Sequence, residues 1–293
     1  MVDGLAVVDK PAGMTSHDVV SRCRRIFGQR KVGHAGTLDP DATGVLLVGL
    51  GRATRLMQFM SGLAKSYTAE VVLGTATSTL DASGEVVGRW DMAGVTIEQA
   101  RAAGLALTGE IQQVPPMVSA LKVGGRRLHQ LARSGVEVER APRPVTVFRF
   151  NIDRQVAPDP VFDVSVDCSS GTYIRVLAAD LGAALGGGAH LRALRRIAVG
   201  PWSADDAVPL DALDVPSVRP LAESVPWLTP VKVDTEVAAQ VANGRVLDRA
   251  VLGIDGDSVG PWSVIGPDGD LLAVYQPHRG GTAKPAVVVT ISR

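Results

Sequence analysis

The sequence predicts an α+β protein, with a large N-terminal part that mixes strands and helices and a small β-rich part at the C-terminus. Two patterns carry this reading. Up to about residue 203, short apolar strands alternate with helical periodicities, whereas beyond about residue 228 only strand patterns broken by turn residues are prominent. At 293 residues, 46% hydrophobic and 20% charged, the chain can bury a sizeable core, which excludes global disorder.

Gly4 to Asp9 reads as a strand, followed by the turn Lys10-Pro11-Ala12-Gly13. Ser16 is an expected N-cap, after which Val19, Val20, Cys23, Ile26 and Phe27 recur at helical spacing with arginines on the opposite face. Residues 33–44, GHAGTLDPDATG, hold three glycines, a proline and two aspartates and are expected to form a loop. Val45–Leu50 follows as a buried strand, Ala53–Met60 as a helix and Tyr67–Leu73 as a strand. Thr96 and Gln99 form a capping-box pattern that opens a helix to about Leu107. Residues 114–144 form a long basic excursion, expected to be partly helical and functional or mobile. Strands at 145–152 and 161–168 and a helix from Tyr173 to Leu185, closed by Gly186-Gly187-Gly188, complete the large part. The acidic, Pro-punctuated segment 203–230 reads as a connector. Beyond it Trp262–Ile265, Leu271–Tyr275 and Val287–Ile291 are expected strands.

Thirty basic side chains balance thirty acidic ones, yet the zero is a cancellation. Residues 1–203 carry 23 basic and 18 acidic groups, net +5, and residues 204–293 carry 7 and 12, net −5. The excess lies at 22–55, 117–154 and 175–196 and is mostly arginine, whose planar fork suits phosphate. Each stretch could equally be a solvated helix face.

Cys23 and Cys168 form neither a disulfide framework nor a zinc pattern, and the five histidines are scattered without metal-ligand spacing. No Walker A loop, dinucleotide fingerprint or GxSxG elbow is present. The expectations are no metal, no cofactor, no signal peptide or membrane span, and a reducing, cytoplasmic setting. What remains is the loop Gly33-His34-Ala35-Gly36-Thr37-Leu38-Asp39-Pro40. Asp-Pro is an ordinary turn dipeptide, but an aspartate fixed between a basic helix and a buried strand can also be a nucleophile or a base. Basic surroundings are expected to lower its pKa and keep it ionised.

The runs GLAVVDKPAGMTSHDVV, KVGHAGTLDPDATGVLLVGLGRATRL, KSYTAEVVLG, QVPPMVSALKVGGRRLHQLARSGVEVERAPRPV, CSSGTYIRVLAADLG and LRALRRIAVGPW resemble the bacterial tRNA pseudouridine-55 synthases of the TruB family across about residues 4–203. The resemblance implies a pseudouridine synthase core, a mixed and largely antiparallel sheet flanked by helices, over residues 1–227. It implies a thumb-like insertion at about 117–144 and a PUA-like domain at 228–293. The activity implied is isomerisation of uridine 55 in the TΨC loop of tRNA, by base flipping and without cofactor or metal. Asp39 is then the catalytic aspartate. Tyr67 stacks on the flipped base, Tyr173 walls the pocket, Arg175 pairs with Asp39, His34 fills the space the nucleotide leaves, and Leu194 lines the pocket. Lys10, Lys31, Lys122, Arg126, Arg127 and Arg133 are candidate RNA contacts. The partner is the tRNA TΨC stem-loop, with no guide RNA or obligate protein partner, and the chain is expected to be monomeric. Alternatives are the relative that works in guide-RNA particles, a tRNA-folding chaperone, and an inactive RNA-binding protein. The net −5 of the tail weighs against RNA contact there unless Arg245, Arg249 and Arg279 cluster.

Overall fold

The computed structural model describes residues 1–290 except 120, 124–125, 129–135, 137 and 157–159, with Lys122, Val123, Arg126 and Arg127 described by backbone alone. Along the chain come β1 (Gly4–Lys10), α1 (Ser16–Ile26), β2 (Val32–Ala35), β3 (Thr43–Leu50), α2 (Met57–Ser61) and β4 (Lys65–Leu73). A hairpin of β5 (Thr75–Thr77) and β6 (Val86–Arg89) follows, then α3 (Ile97–Ala106) and β7 (Gly109–Gln113). The short pair β8 (Lys122–Val123) and β9 (Arg126–Arg127) lies within the basic excursion. The large part closes with β10 (Arg143–Val156), β11 (Val161–Cys168), α4 (Ile174–Ala184), β12 (Ala189–Val199), β13 (Trp202–Ser203) and β14 (Val208–Pro209).

Ten strands form one sheet in the order β14-β1-β3-β12-β4-β11-β10-β7, with β2 beside β3 and β13 beside β12. Pairing is antiparallel except at β1–β14 and β12–β3, so the sheet is mixed and largely antiparallel, as expected. Strands β1 and β3 are apolar at nearly every position because both faces are covered. Ala6, Val8, Leu46 and Val48 join the core that holds Val19, Val20 and Cys23 of α1 and Leu177 and Leu181 of α4. Their alternates Leu5, Val7, Val45 and Leu47 face the other way.

A second sheet, β15 (Thr229–Lys232), β17 (Trp262–Ile265), β18 (Leu271–Pro277), β19 (Thr282–Val288) and β16 (Leu247–Asp248), lies in that order, with α5 (Thr235–Ala242) beside it. It has a core of its own around Trp262 and Tyr275. Leu271, Val274 and Val289 nonetheless join Leu5, Val7 and Leu47 in one cluster, so the two sheets share buried surface. Arg52 and Arg55 donate to the carbonyls of Val289 (3.4 Å) and Val288 (2.7 Å), so two of the basic groups at 22–55 bond the C-terminal part.

Four sequence readings need correction. Thr15, not Ser16, caps α1, because the Thr15 hydroxyl accepts from Asp18 and the Asp18 carboxylate returns to the Thr15 N–H. The predicted loop 33–44 is shorter: residues 32–35 pair with β3 and residue 43 already belongs to β3. The segment 203–230 is not a bare connector, since Leu210, Leu213, Leu221, Val225 and Leu228 are buried in the two main clusters. The last strand runs Thr282–Val288 rather than 287–291, because the left-handed Gly280 and Gly281 turn the chain just before it.

Leu271→Ala should cost about 2–5 kcal/mol as a buried large-to-small change. A shared core makes the chain melt in one transition shifted downward in calorimetry; a C-terminal sheet that melted alone, leaving the remainder at the wild-type Tm, would contradict it.

Candidate active site

The loop between β2 and β3 is held from below by three buried polar side chains, each bonded to its backbone. Ser16, freed from capping, accepts from the Leu38 N–H at 2.8 Å and donates to the Leu38 carbonyl at 3.2 Å. Lys10, wholly buried, donates from Nζ to the carbonyls of Pro11 (2.8 Å), Met14 (2.6 Å) and Pro40 (2.8 Å). Arg196, from β12, donates to Gly36 (2.9 Å) and Thr37 (3.5 Å) before Asp39 and to Val45 (2.7 Å) after it. Gly44 makes the close approach possible: it sits at φ +99°, and a Cβ there would stand 2.1 Å from the Arg196 carbonyl oxygen. Lys10 was a candidate RNA contact and Arg196 was counted in a basic stretch, yet both are buried. Their burial follows from the strand register, which sets Lys10 and Arg196 each opposite Gly44.

Above this support stands Asp39. Arg175, the second residue of α4 and 5% exposed, meets its two oxygens with Nε (3.0 Å to Oδ2) and Nη2 (3.1 Å to Oδ1), a two-point fork. The same guanidinium donates to the carbonyls of Thr79 (2.9 Å) and Val118 (2.8 Å) and pairs with Asp81 at 3.3 Å. Asp81 is itself fixed, since its Oδ1 accepts from the hydroxyls of Thr79 and Ser83, both at 2.6 Å. The turn that carries it contains Leu80 at φ +63°, a strained conformation for a leucine, placed beside the site.

Asp39, Tyr67, Tyr173, Arg175 and Leu194 line one cavity of about 240 Å³. These are five of the six candidate site residues of the sequence, His34 being the other. Tyr67 lies on β4, and its neighbour across the ladder is Arg196. Tyr173 caps α4 and is pinned by buried Gln113, whose Oε1 accepts from the Tyr173 N–H (2.9 Å) while its Nε2 donates to the Tyr173 carbonyl (3.3 Å). His34 is not among the residues lining this cavity; it sits on β2 opposite Val48. Lys31 is exposed. Lys122, Arg126 and Arg127 lie on the β8–β9 pair, and Arg133 falls outside the described residues. Sequence reading missed Ser16, Gln113 and Asp81, whose partners lie 22 to 94 residues away; Lys65 and Arg196 also line the cavity.

Electrostatics correct one expectation. Burial pushes the Asp39 carboxyl above the usual carboxylate range and the Asp81 charge adds to this, with Arg175 and Lys10 pulling back. Packing, not the basic neighbourhood, therefore sets the direction. A carboxylate with a raised pKa is the stronger base and nucleophile once ionised. Burial likewise pushes the Tyr67 phenol up, so the resting side chain keeps its proton. Among the described residues no group of His, Cys, Asp and Glu could hold a metal, and no helix is long and apolar enough to cross a membrane. Cys23 and Cys168 are buried, with thiols pushed up to about 11.

Comparison with known proteins gives this cavity a context. Residues 24–174 match the N-terminal domain of TruB family pseudouridylate synthases, and residues 175–223 match the C-terminal domain of tRNA pseudouridylate synthase B. Proteins named tRNA pseudouridine synthase B are 48% identical in Arthrobacter sp. (98% of this chain, 97% of the relative) and 51% identical in Mycobacterium sp. strain KMS (93% and 92%). Another, from Thermobifida fusca, is 48% identical (98% and 99%). A crystal structure of a Cbf5-Nop10-Gar1 complex contains a chain of the same fold, with TM-score 0.74 and 26% identity over 98% of this chain and 85% of that one. The chain is accordingly a pseudouridylate synthase, an isomerase. Within that class it belongs to the TruB family.

With Asp39 as the proposed reacting carboxylate, the acid limb of kcat/KM is expected above the value near 4 of an ordinary aspartate. Asp81→Asn removes a charge that raises the Asp39 pKa, and the residual activity should show that limb at lower pH. A limb unmoved in the pH–rate profile would dissociate Asp81 from the site's electrostatics.

Proposed function

We propose that the protein isomerises uridine 55 in the TΨC loop of tRNA to pseudouridine, with Asp39 as the attacking group and no cofactor. The observation that carries the reading is the Asp39 carboxylate, gripped at both oxygens by Arg175 at a cavity that Tyr67 and Leu194 also line. The names of the relatives, tRNA pseudouridine synthase B, support tRNA as substrate. The target base is stacked in a folded loop and is flipped out to reach the carboxylate, at a cost of about a few kcal/mol. Stacking on Tyr67, on the order of 1–3 kcal/mol per base, offsets much of it.

Isomerisation breaks the C1′–N1 bond, turns the ring and makes a C1′–C5 bond. Asp39 serves attack on C6 or on C1′ equally, and in a glycal route it takes a ribose proton. Arg175 orients the carboxylate and keeps it from rotating away from the cavity. Tyr67, protonated at rest, stacks first and takes a proton only after giving up its own. Product and substrate contain the same atoms, so the reaction draws on no energy source. The protein works without guide RNA or protein partner and as a monomer; the thumb-like insertion at about 117–144 lies in large part outside the described residues.

Purified protein incubated with an unmodified tRNA transcript should convert position 55 alone. Asp39→Asn should abolish conversion and keep tRNA affinity. Conversion by the variant at a substantial rate, or modification elsewhere than position 55, would sink the reading.

A further inference from the structure

Two cations reach the Asp39 cavity without a carboxylate of their own. Lys65 on β4 and Arg196 on β12 both line it, the first 8% exposed and the second fully buried. Apart from a hydrogen bond from Arg196 to the Tyr67 side chain, their donors end on backbone carbonyls: Lys65 on Ser61 (3.2 Å) and Leu63 (2.8 Å), Arg196 on Gly36, Thr37 and Val45. A Cβ on Gly36 would stand 3.3 Å from Lys65 Cε and 3.5 Å from Arg196 Nη1, so both cations approach the same point of the Asp39 loop. Among the described residues neither takes part in an ion pair, and Asp39 is committed to Arg175. Two buried positive charges that take part in no ion pair are costly, and an anion formed at the cavity offsets that cost.

The function proposed above supplies that anion, and the inference rests on it. When C1′–N1 breaks, the bonding pair leaves with N1, and the detached ring carries a negative charge spread over N1, O2 and O4. On the route of attack at C1′, the Asp39 carboxylate bonds C1′ as N1 leaves and is released as C5 of the ring supplies the pair for the new C1′–C5 bond; C5 then loses its proton and N1 takes one up, so no atom or electron is gained or lost. We propose that Lys65 and Arg196 form a cationic floor that stabilises the pyrimidine anion while it is detached from the ribose. The charge exists only once the bond is breaking, so the floor favours the transition state over bound substrate. Arg175 is spent on two aspartates and cannot serve the ring in this way.

Lys65 tests this because its two functions separate. Burial pushes its ammonium down to about 8, with Arg196 acting in the same direction and Cys168 against it. The other charged or titratable groups at the cavity are Asp39 from the loop, Tyr67 from the same strand, and Tyr173 and Arg175 from the start of α4. Lys65→Gln keeps N–H donors for Ser61 and Leu63 but loses the charge, whereas Lys65→Arg keeps the charge. In single-turnover conversion of a tRNA transcript by excess full-length protein, Lys65→Gln should be slower by roughly 10²-fold, the scale of losing one electrostatic donor. Its tRNA affinity should stay at the wild-type level. Lys65→Arg should retain most of the rate. Wild-type single turnover should fall as pH rises through about 8, without a parallel loss of tRNA binding, and that fall should vanish in Lys65→Arg. Equal rates for the Gln and Arg variants would mean that Lys65 merely caps carbonyls, and would overturn the floor. If Lys65→Gln fails to fold, the wild-type profile decides: a rate flat to pH 9 overturns it as well. A wild type that leaves uridine 55 unmodified would instead fault the function itself.

Discussion

Arg196 bonds the carbonyls of Gly36 and Thr37 on one side of Asp39 and of Val45 on the other, and the rest of the site hangs on that staple. A loop rich in glycine and proline has little shape of its own, because its residues pack few side chains. Here a buried guanidinium supplies the shape from inside, with Lys10 holding Pro40 and Ser16 holding Leu38. Only on a loop so fixed does the Arg175 fork determine where the carboxylate points.

The arrangement accepts several local costs. Two buried guanidinium groups and two buried lysine amines are desolvated, a leucine adopts a left-handed turn, and one of the arginines occupies the first turn of α4, where the helix dipole disfavours a cation. Backbone carbonyls satisfy the cations, and the burial of Leu38 and Ala42 in the main core supplies the remaining rigidity. In the proposed reaction the gain is a carboxylate set in position before substrate arrives, so that less reorganisation is left to the chemical step.

Much of this was legible in the sequence because local pattern and local structure agree. The capping box at Thr96, the apolar alternation of β4 and β11 and the glycine-closed α4 all form near their expected places. The motif residues Asp39, Tyr67, Tyr173, Arg175 and Leu194 meet at one cavity. The supporting residues were not legible, for a physical reason: their function is a bond to a backbone atom distant in sequence. Arg196 reaches Gly36 across 160 residues, and composition alone records it as surface charge. Counting basic residues therefore overstated the free basic surface, since Arg175 and Arg196 are buried. Arg52 and Arg55 hold the C-terminal sheet, and Arg249 is turned inward onto the carbonyls of Asp255 and Ser258.

The claim at the centre is that the Asp39 loop has its working shape in the absence of RNA. The direct measurement is a pair of crystal structures, one of the free protein and one of Asp39→Asn bound to a TΨC stem-loop. The backbone of residues 36–42 should superpose within about 1 Å, the scale of a pre-organised interface, with the Arg196 bonds intact in both. A loop that is displaced further in the free protein, or that acquires its Arg196 bonds only with RNA, would contradict it.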